Sequence, residues 1–328
     1  MVLGQVVRGT ITCKGLVHLI LADGAKLTAQ GDVNSATPGI QVSDSDDKLI
    51  IYGQTNQTGQ LDAYGGGYRA DMGGAGAGAA GIGGGNKSIG SNITINGGIV
   101  TAVGGDGAAG IGGGYYNETG GFNITINYGM VTAYGGLNSA GIGGGRHGNG
   151  SNITINGGIV TAVGGELAAS IGGGYGGAGS NIKVSADCKV FADGNNPPTT
   201  EIAHDSDTDL ASDLSKRYAF IEIDRNIIQE LQSAAIAAID EVIAGVNNVI
   251  ILDFAQKAKN RITNATNRTA ITAIKDSAIT ELDTLIKTHK SALGELGEEK
   301  AGTAVKVTKG DKEVILYAPD KVEYIIRK

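Results

Sequence analysis

Gly81-Ile82-Gly83-Gly84-Gly85 is a short block whose recurrence decides the fold. It returns at 110–114, at 141–145 and, with Ser170 replacing the first glycine, at 170–174, at intervals of 29, 31 and 29 residues. Between these copies lies a second block, Asn92-Ile93-Thr94-Ile95-Asn96-Gly97-Gly98-Ile99-Val100-Thr101-Ala102. It returns at 123–133 and 152–162, with a worn copy over 181–192 and looser ones over 19–40 and 49–63. A fixed period of this length marks a solenoid, in which each repeat is one coil and the end coils are atypical.

The local pattern says which kind of solenoid. Apolar residues alternate with polar ones, which is the period of a strand. Ile93 and Ile95 point one way and Thr94 the other; Val100 and Ala102 point inward while Ile99, Thr101 and Val103 point out. Ile82, Ile111, Ile142 and Ile171 form a further inward column. So much Gly and so many β-branched residues would not hold a helix. Two alternating runs and one Gly-Ile-Gly run per repeat predict three short strands per coil, a triangular section and a narrow core. About six coils are expected. Asparagines recur at the bends (Asn92, Asn123, Asn152, Asn181 and Asn96, Asn127, Asn156), where stacked amides can hydrogen-bond from coil to coil. The glycine pairs read as corner geometry; a phosphate-binding loop would need a following Lys-Ser/Thr.

Working outward, the glycines stop. Of 56, 51 lie at or before Gly194 and five after it. Charge divides too: 19 acids against 11 bases up to Asp224, then 14 against 15. The first regime carries no basic stripe, which argues against nucleic acid as its partner. After Asn196-Pro197-Pro198 an acidic loop runs from Glu201 to Asp213, and Tyr218–Ile223 reads as a last strand closing the solenoid's open end. Helical spacing then begins near Asn226, with further helices expected over about 251–263 and 269–296. Three alternating runs end the chain, with a hairpin turn at Lys309-Gly310-Asp311-Lys312. The expected division is a parallel β-helix over 1–224, a small helical bundle over 225–300 and a small β-sheet over 301–328.

Cys13 and Cys188 fall at opposite ends of the expected stack, beyond disulfide reach, and neither has a metal-ligand spacing. No run is apolar and long enough to span a membrane. The opening residues show no charged, apolar and cleavage regions in order, so the chain reads as non-exported by that route or as a mature or excised form.

The repeat blocks resemble the glycine-rich repeats of large surface proteins from gut bacteria, described as adhesin-like or carbohydrate-binding. The resemblance covers 17–223 and implies a right-handed parallel β-helix in an extracellular or cell-surface setting. Residues 229–285 are weakly similar to the helical repeats of Gram-positive cell-wall proteins. Neither resemblance brings a catalytic motif.

For chemistry, the mid-coil acids Asp106 and Glu166 occupy equivalent places two coils apart, ~10 Å, wide even for an inverting glycosidase pair. No catalytic residue, metal site or cofactor is expected. The aromatic residues point elsewhere. Tyr115-Tyr116, Arg146-His147 and Tyr175 follow the Gly-Ile-Gly-Gly-Gly block in successive coils, and Tyr64 and Tyr134 share an outward column with Val103 and Val163. An aromatic stripe with an Arg can stack sugar rings or anchor a protein. The outward Thr columns (Thr94, Thr125, Thr154 and Thr101, Thr132, Thr161) resemble ice-binding arrays, but they lie on different strands and are interrupted in the next coil. The expected function is that of a non-catalytic surface protein binding a glycan or cell-surface protein, with homo-oligomerisation open. A phage or appendage fibre subunit and a polysaccharide-active lyase or hydrolase are the alternatives.

Overall fold

The computed structural model describes residues 4–67, 77–295, 305–309, 312–316 and 325–327. The chain divides into two compact units, Met1–Asp224 and Arg225–Lys328. The first is a mainly β solenoid and holds the candidate site.

Two of its faces are six-stranded parallel sheets, and the remaining one is an eight-stranded sheet. One face stacks strands such as Gly90–Ile95, Gly121–Ile126 and Gly150–Ile155. The second stacks Ile99–Val103, Met130–Tyr134 and Ile159–Val163. The third is only two residues deep, as in Ile82–Gly83 and Ile111–Gly112. Identical residues lie in register: Val100 pairs with Val131 and Val131 with Val160, Ile82 with Ile111 and Ile111 with Ile142.

The core is a set of columns. Ile93, Ile124 and Ile153, then Val100, Val131 and Val160, are fully buried, as are Ala102, Ala133 and Ala162. Each buried Ile or Val contributes roughly 1.5–3 kcal/mol, while the Ala columns keep the section narrow. The glycine column Gly83, Gly112, Gly143 and Gly172 closes it further. Its φ values run from 128° to 135°, and a Cβ on Gly112 would stand 2.1 Å from the Gly143 carbonyl oxygen.

The asparagines do more than stack. Asn92, Asn123, Asn152 and Asn181 all have left-handed backbones, φ 56°, 54°, 52° and 50°. Asn tolerates that region best after Gly. Each Nδ2 donates to the Oδ1 of the preceding coil's Asn, at 3.2, 3.3 and 2.7 Å. The ladder's first amide, Asn92, donates instead to the Ser45 carbonyl at 2.9 Å. A second ladder joins Asn96, Asn127 and Asn156 through two 2.7 Å bonds.

The far end departs from expectation. Tyr218–Ile223 does not sit outermost; it runs antiparallel between Ile159–Val163 and Cys188–Asp193. Val190 and Ala192 are therefore one strand removed from the Val160 and Ala162 columns, with Ile221 and Ala219 taking their places. Thr161 meets Phe220 rather than Phe191. The reason is direction: a chain that turns back over the end of the stack re-enters it reversed. The end itself is covered by the polar loop. Asp209 accepts from the N–H groups of Asn181 and Ile182 at 2.7 and 2.9 Å, and Leu210 and Leu214 are fully buried. Thr200 and Ile202 bond to the outer edge of Cys188–Asp193.

The second unit holds α1 (Arg225–Val242), α2 (Val249–Thr263) and α3 (Arg268–Glu295). Buried faces such as Ile228, Ala235 and Ile239 of α1 and Ile251, Ala255 and Ile262 of α2 follow helical spacing. The helix α2 starts two residues before the expected Ile251 because Asn248 caps it, accepting from Ile250 and Ile251 at 3.0 and 3.2 Å. Val305–Lys309, Lys312–Leu316 and Ile325–Arg327 form an antiparallel sheet. No described helix is long and apolar enough to cross a membrane.

Two predictions follow from these columns. Asn152→Ala loses two ladder bonds, about 1 kcal/mol each, and meets a left-handed penalty of about 1 kcal/mol; Asn152→Gly avoids the penalty. Thermal unfolding should rank parent, Gly variant, Ala variant; equal melting of all three excludes the ladder as a stabilising element. Cys13 and Cys188 are free and buried, and burial, with Asp47 and Asp187 nearby, pushes their thiols up to about 11 and about 12. A thiol reagent at pH 8 should label neither in the folded chain and both in guanidinium.

Candidate functional site

The third face is so short that the glycine loops on either side of it meet outside the strand. The loop leaving the second face spans 104–109 in one coil; the loop entering the first spans 113–120. Each entering loop bonds to the leaving loop of the coil before. The Tyr115 N–H donates to the Gly78 carbonyl at 3.1 Å, Arg146 to Gly107 at 2.9 Å, and Tyr175 to Asn138 at 2.9 Å. Backbone bonds thus fix the first residue after each glycine block.

The residue after it is held in an unusual conformation. Tyr116 and His147 have φ 58° and 63°; Lys87 and Gly176 occupy the same place in the flanking coils, at 59° and 77°. Left-handed backbone is uncommon for a bulky side chain. Gly176 shows the unstrained choice, so Tyr116 and His147 are retained against local backbone preference.

The rings meet across coils. Centroids lie 4.9 Å apart for Tyr115–Tyr116, 4.6 Å for Tyr116–His147 and 5.8 Å for His147–Tyr175, all tilted or edge-on. The result is a four-ring ladder along the solenoid axis. Tyr116 and Tyr175 are 53% and 43% exposed, so their faces are open to a ligand. Tyr115 is half-buried against Gly107, where a Cβ would come within 2.3 Å of its ring. The imidazole of His147 overlies the bare backbone of Gly176 in the same way.

Arg146 stands behind the ladder. It is half-buried, and its Nε is enclosed without a hydrogen-bond partner. Burial pushes the Asp106 carboxyl above the ordinary carboxylate range, and the positive charge of Arg146 opposes that shift in part.

Of the seven residues read from the sequence, Tyr115, Tyr116, Arg146, His147 and Tyr175 come together. Tyr64 and Tyr134 do not. They lie on the second face, aligned through Val103, two strands or ~10 Å apart, and no ring contact among the described residues joins them to the ladder. That column continues through Val163 to Tyr218, under the guanidinium of Arg217, whose Cζ lies 5.3 Å from the ring centre. Arg217 and Tyr218 fall outside the repeat, so no periodicity could place them here. Among the described residues no three His, Cys, Asp or Glu side chains gather as a metal site.

Three segments, 93–115, 124–146 and 153–175, match the model of the Beta helix repeat. These three segments of the solenoid are β-helix repeats. Each matched segment ends on a site residue: Tyr115, Arg146 or Tyr175. Neither the curated proteins nor the solved structures contain a match. The matched segments thus include Tyr115, Arg146 and Tyr175, while Tyr116 and His147 each fall one residue beyond them.

Removing Arg146 should leave Asp106 with burial alone. In an Arg146→Ala variant the Asp106 carboxyl should titrate higher than in the parent, followed by NMR of the side-chain carbon. An unchanged or lower midpoint would show that the guanidinium does not face this carboxylate.

Proposed function

We propose that this β-helix repeat protein is a non-catalytic surface protein, acting outside the cell, whose ring ladder binds a glycan. The observation that carries the reading is the left-handed backbone of Tyr116 and His147. Two successive coils hold aromatic rings where glycine would fit without strain, and those rings contribute little to the fully buried core. Strain of this kind is accepted where a side chain is needed for contact with something else.

The chemistry suits a sugar. The exposed faces of Tyr116 and Tyr175 offer C–H stacking surface, their hydroxyls and His147 offer hydrogen bonds, and Arg146 supplies a fixed charge behind them. From Tyr116 through His147 to Tyr175 the rings advance one coil at a time, ~4.8 Å, a step close to the advance of one pyranose along an extended glycan. A rigid frame presents them without an ordering cost on binding. The mid-coil acids Asp106 and Glu166 lie two coils apart, ~10 Å, which favours binding over hydrolysis.

A glycan array probed with the parent and with a Tyr116→Ala, Tyr175→Ala double variant tests this. Each stacked ring contributes about 0.5–1.5 kcal/mol, so losing the pair should cost roughly five- to 140-fold in affinity. The variant should melt close to the parent, because both rings are exposed and alanine keeps the left-handed strain that Tyr116 already bears. Glycan binding untouched by the double variant would remove the ladder as the site.

A further inference from the structure

The ladder does not end at Tyr175; it opens onto a groove created by the way the stack terminates. In the regular coils each leaving loop is overlaid by the next. Gly104 N–H donates to the Tyr134 carbonyl and Gly135 to Val163, at 2.8 and 2.9 Å. At the last coil the acceptor is Arg217, at 2.7 Å from the Gly164 nitrogen, and Lys216 accepts from Ser170 at 2.6 Å. The returning strand supplies these backbone bonds but lays no further glycine loop over residues 164–169.

The loop is therefore flanked by two cavities, about 450 and 340 Å³. Both are lined by Glu166 and Arg217. The first also includes Leu137; the second reaches Gly174 and Gly176, the two neighbours of Tyr175. Most of the remaining wall is glycine backbone, so a ligand can approach the main chain closely. Leu137 and Leu167 rise beside the groove, 47% and 62% exposed.

Arg217 is held in place. Its Nε donates to the Gly164 carbonyl at 3.3 Å and its guanidinium covers Tyr218. Glu166 is exposed in the same cavities, yet among the described residues no ion pair joins it to Arg217. A donor-only fork and an acceptor-only carboxylate thus share one groove without satisfying each other. Neighbouring sugar hydroxyls complement both, accepting from the guanidinium and donating to the carboxylate. A carboxylate-bearing sugar would satisfy Arg217 but meet repulsion from Glu166.

We propose that this groove continues the ladder's ligand site and takes a neutral hexose unit of an extended glycan, with adjacent hydroxyls between Arg217 and Glu166. The inference rests on the glycan reading of the ladder and adds a class of sugar and a minimum length. A disaccharide would occupy the rings alone; a longer chain would reach the groove.

The test uses the full chain and neutral gluco- and manno-oligosaccharides, as disaccharides and pentasaccharides, beside the matching uronic-acid series. The parent should bind a neutral pentasaccharide at least tenfold more tightly than its disaccharide. Glu166→Gln and Arg217→Lys should each remove most of that gain while leaving disaccharide affinity and melting temperature unchanged. A length gain that survives both substitutions, with binding still lost in the Tyr116→Ala, Tyr175→Ala variant, overturns the groove and leaves the ladder standing. Tighter binding of the uronic-acid series overturns the neutral assignment. Binding of no oligosaccharide by the parent overturns the ladder reading and the groove with it.

Discussion

In the solenoid a strand finds its backbone partners one coil away, so no coil is complete without a neighbour. Parallel pairing in exact register is the constraint from which the rest follows. It aligns like residues into columns and makes each column a repeated contact. It also sets the spacing at ~4.8 Å, close enough that a side chain on the wrong column is felt immediately. Glycine fills the third face because a Cβ there would strike the next coil's carbonyl. Asparagine fills the bend because it accepts a left-handed backbone and still bonds along the stack.

The same constraint explains which parts were legible in the sequence. Columns such as Val100, Val131 and Val160 repeat, so their inward direction could be read directly. The corner residues Tyr115, Arg146 and Tyr175 could be aligned by their distance from the glycine block. That Tyr116 and His147 share a left-handed position was not visible, because the flanking occupants, Lys87 and Gly176, have no chemistry in common with them. Tyr64 and Tyr134 were placed in an outward column of their own with Val103 and Val163, and that column is where they lie.

Outside the repeats the reading weakened for a physical reason. Tyr218–Ile223 alternates like any other strand, and alternation carries no information on direction or on neighbours. Its insertion between Ile159–Val163 and Cys188–Asp193 depends on where the intervening loop carries the chain. Arg217, at the end of that loop, is placed by the insertion alone. The helices were easier, because their stripes are local and Asn248 shifts only one boundary.

With Cys188–Asp193 outside it, the reversed strand also ends the solenoid in a way independent of its length. It pairs with the last parallel strand through backbone groups and through Ala219 and Ile221, which imitate the inward pattern of any regular coil. A whole repeat inserted or removed between Asn92 and Tyr175 would therefore meet the same closing element. Coil number is set free to vary as a unit, and with it the number of rings on the corner, so the reach of the binding face can be lengthened by duplication without rebuilding either end.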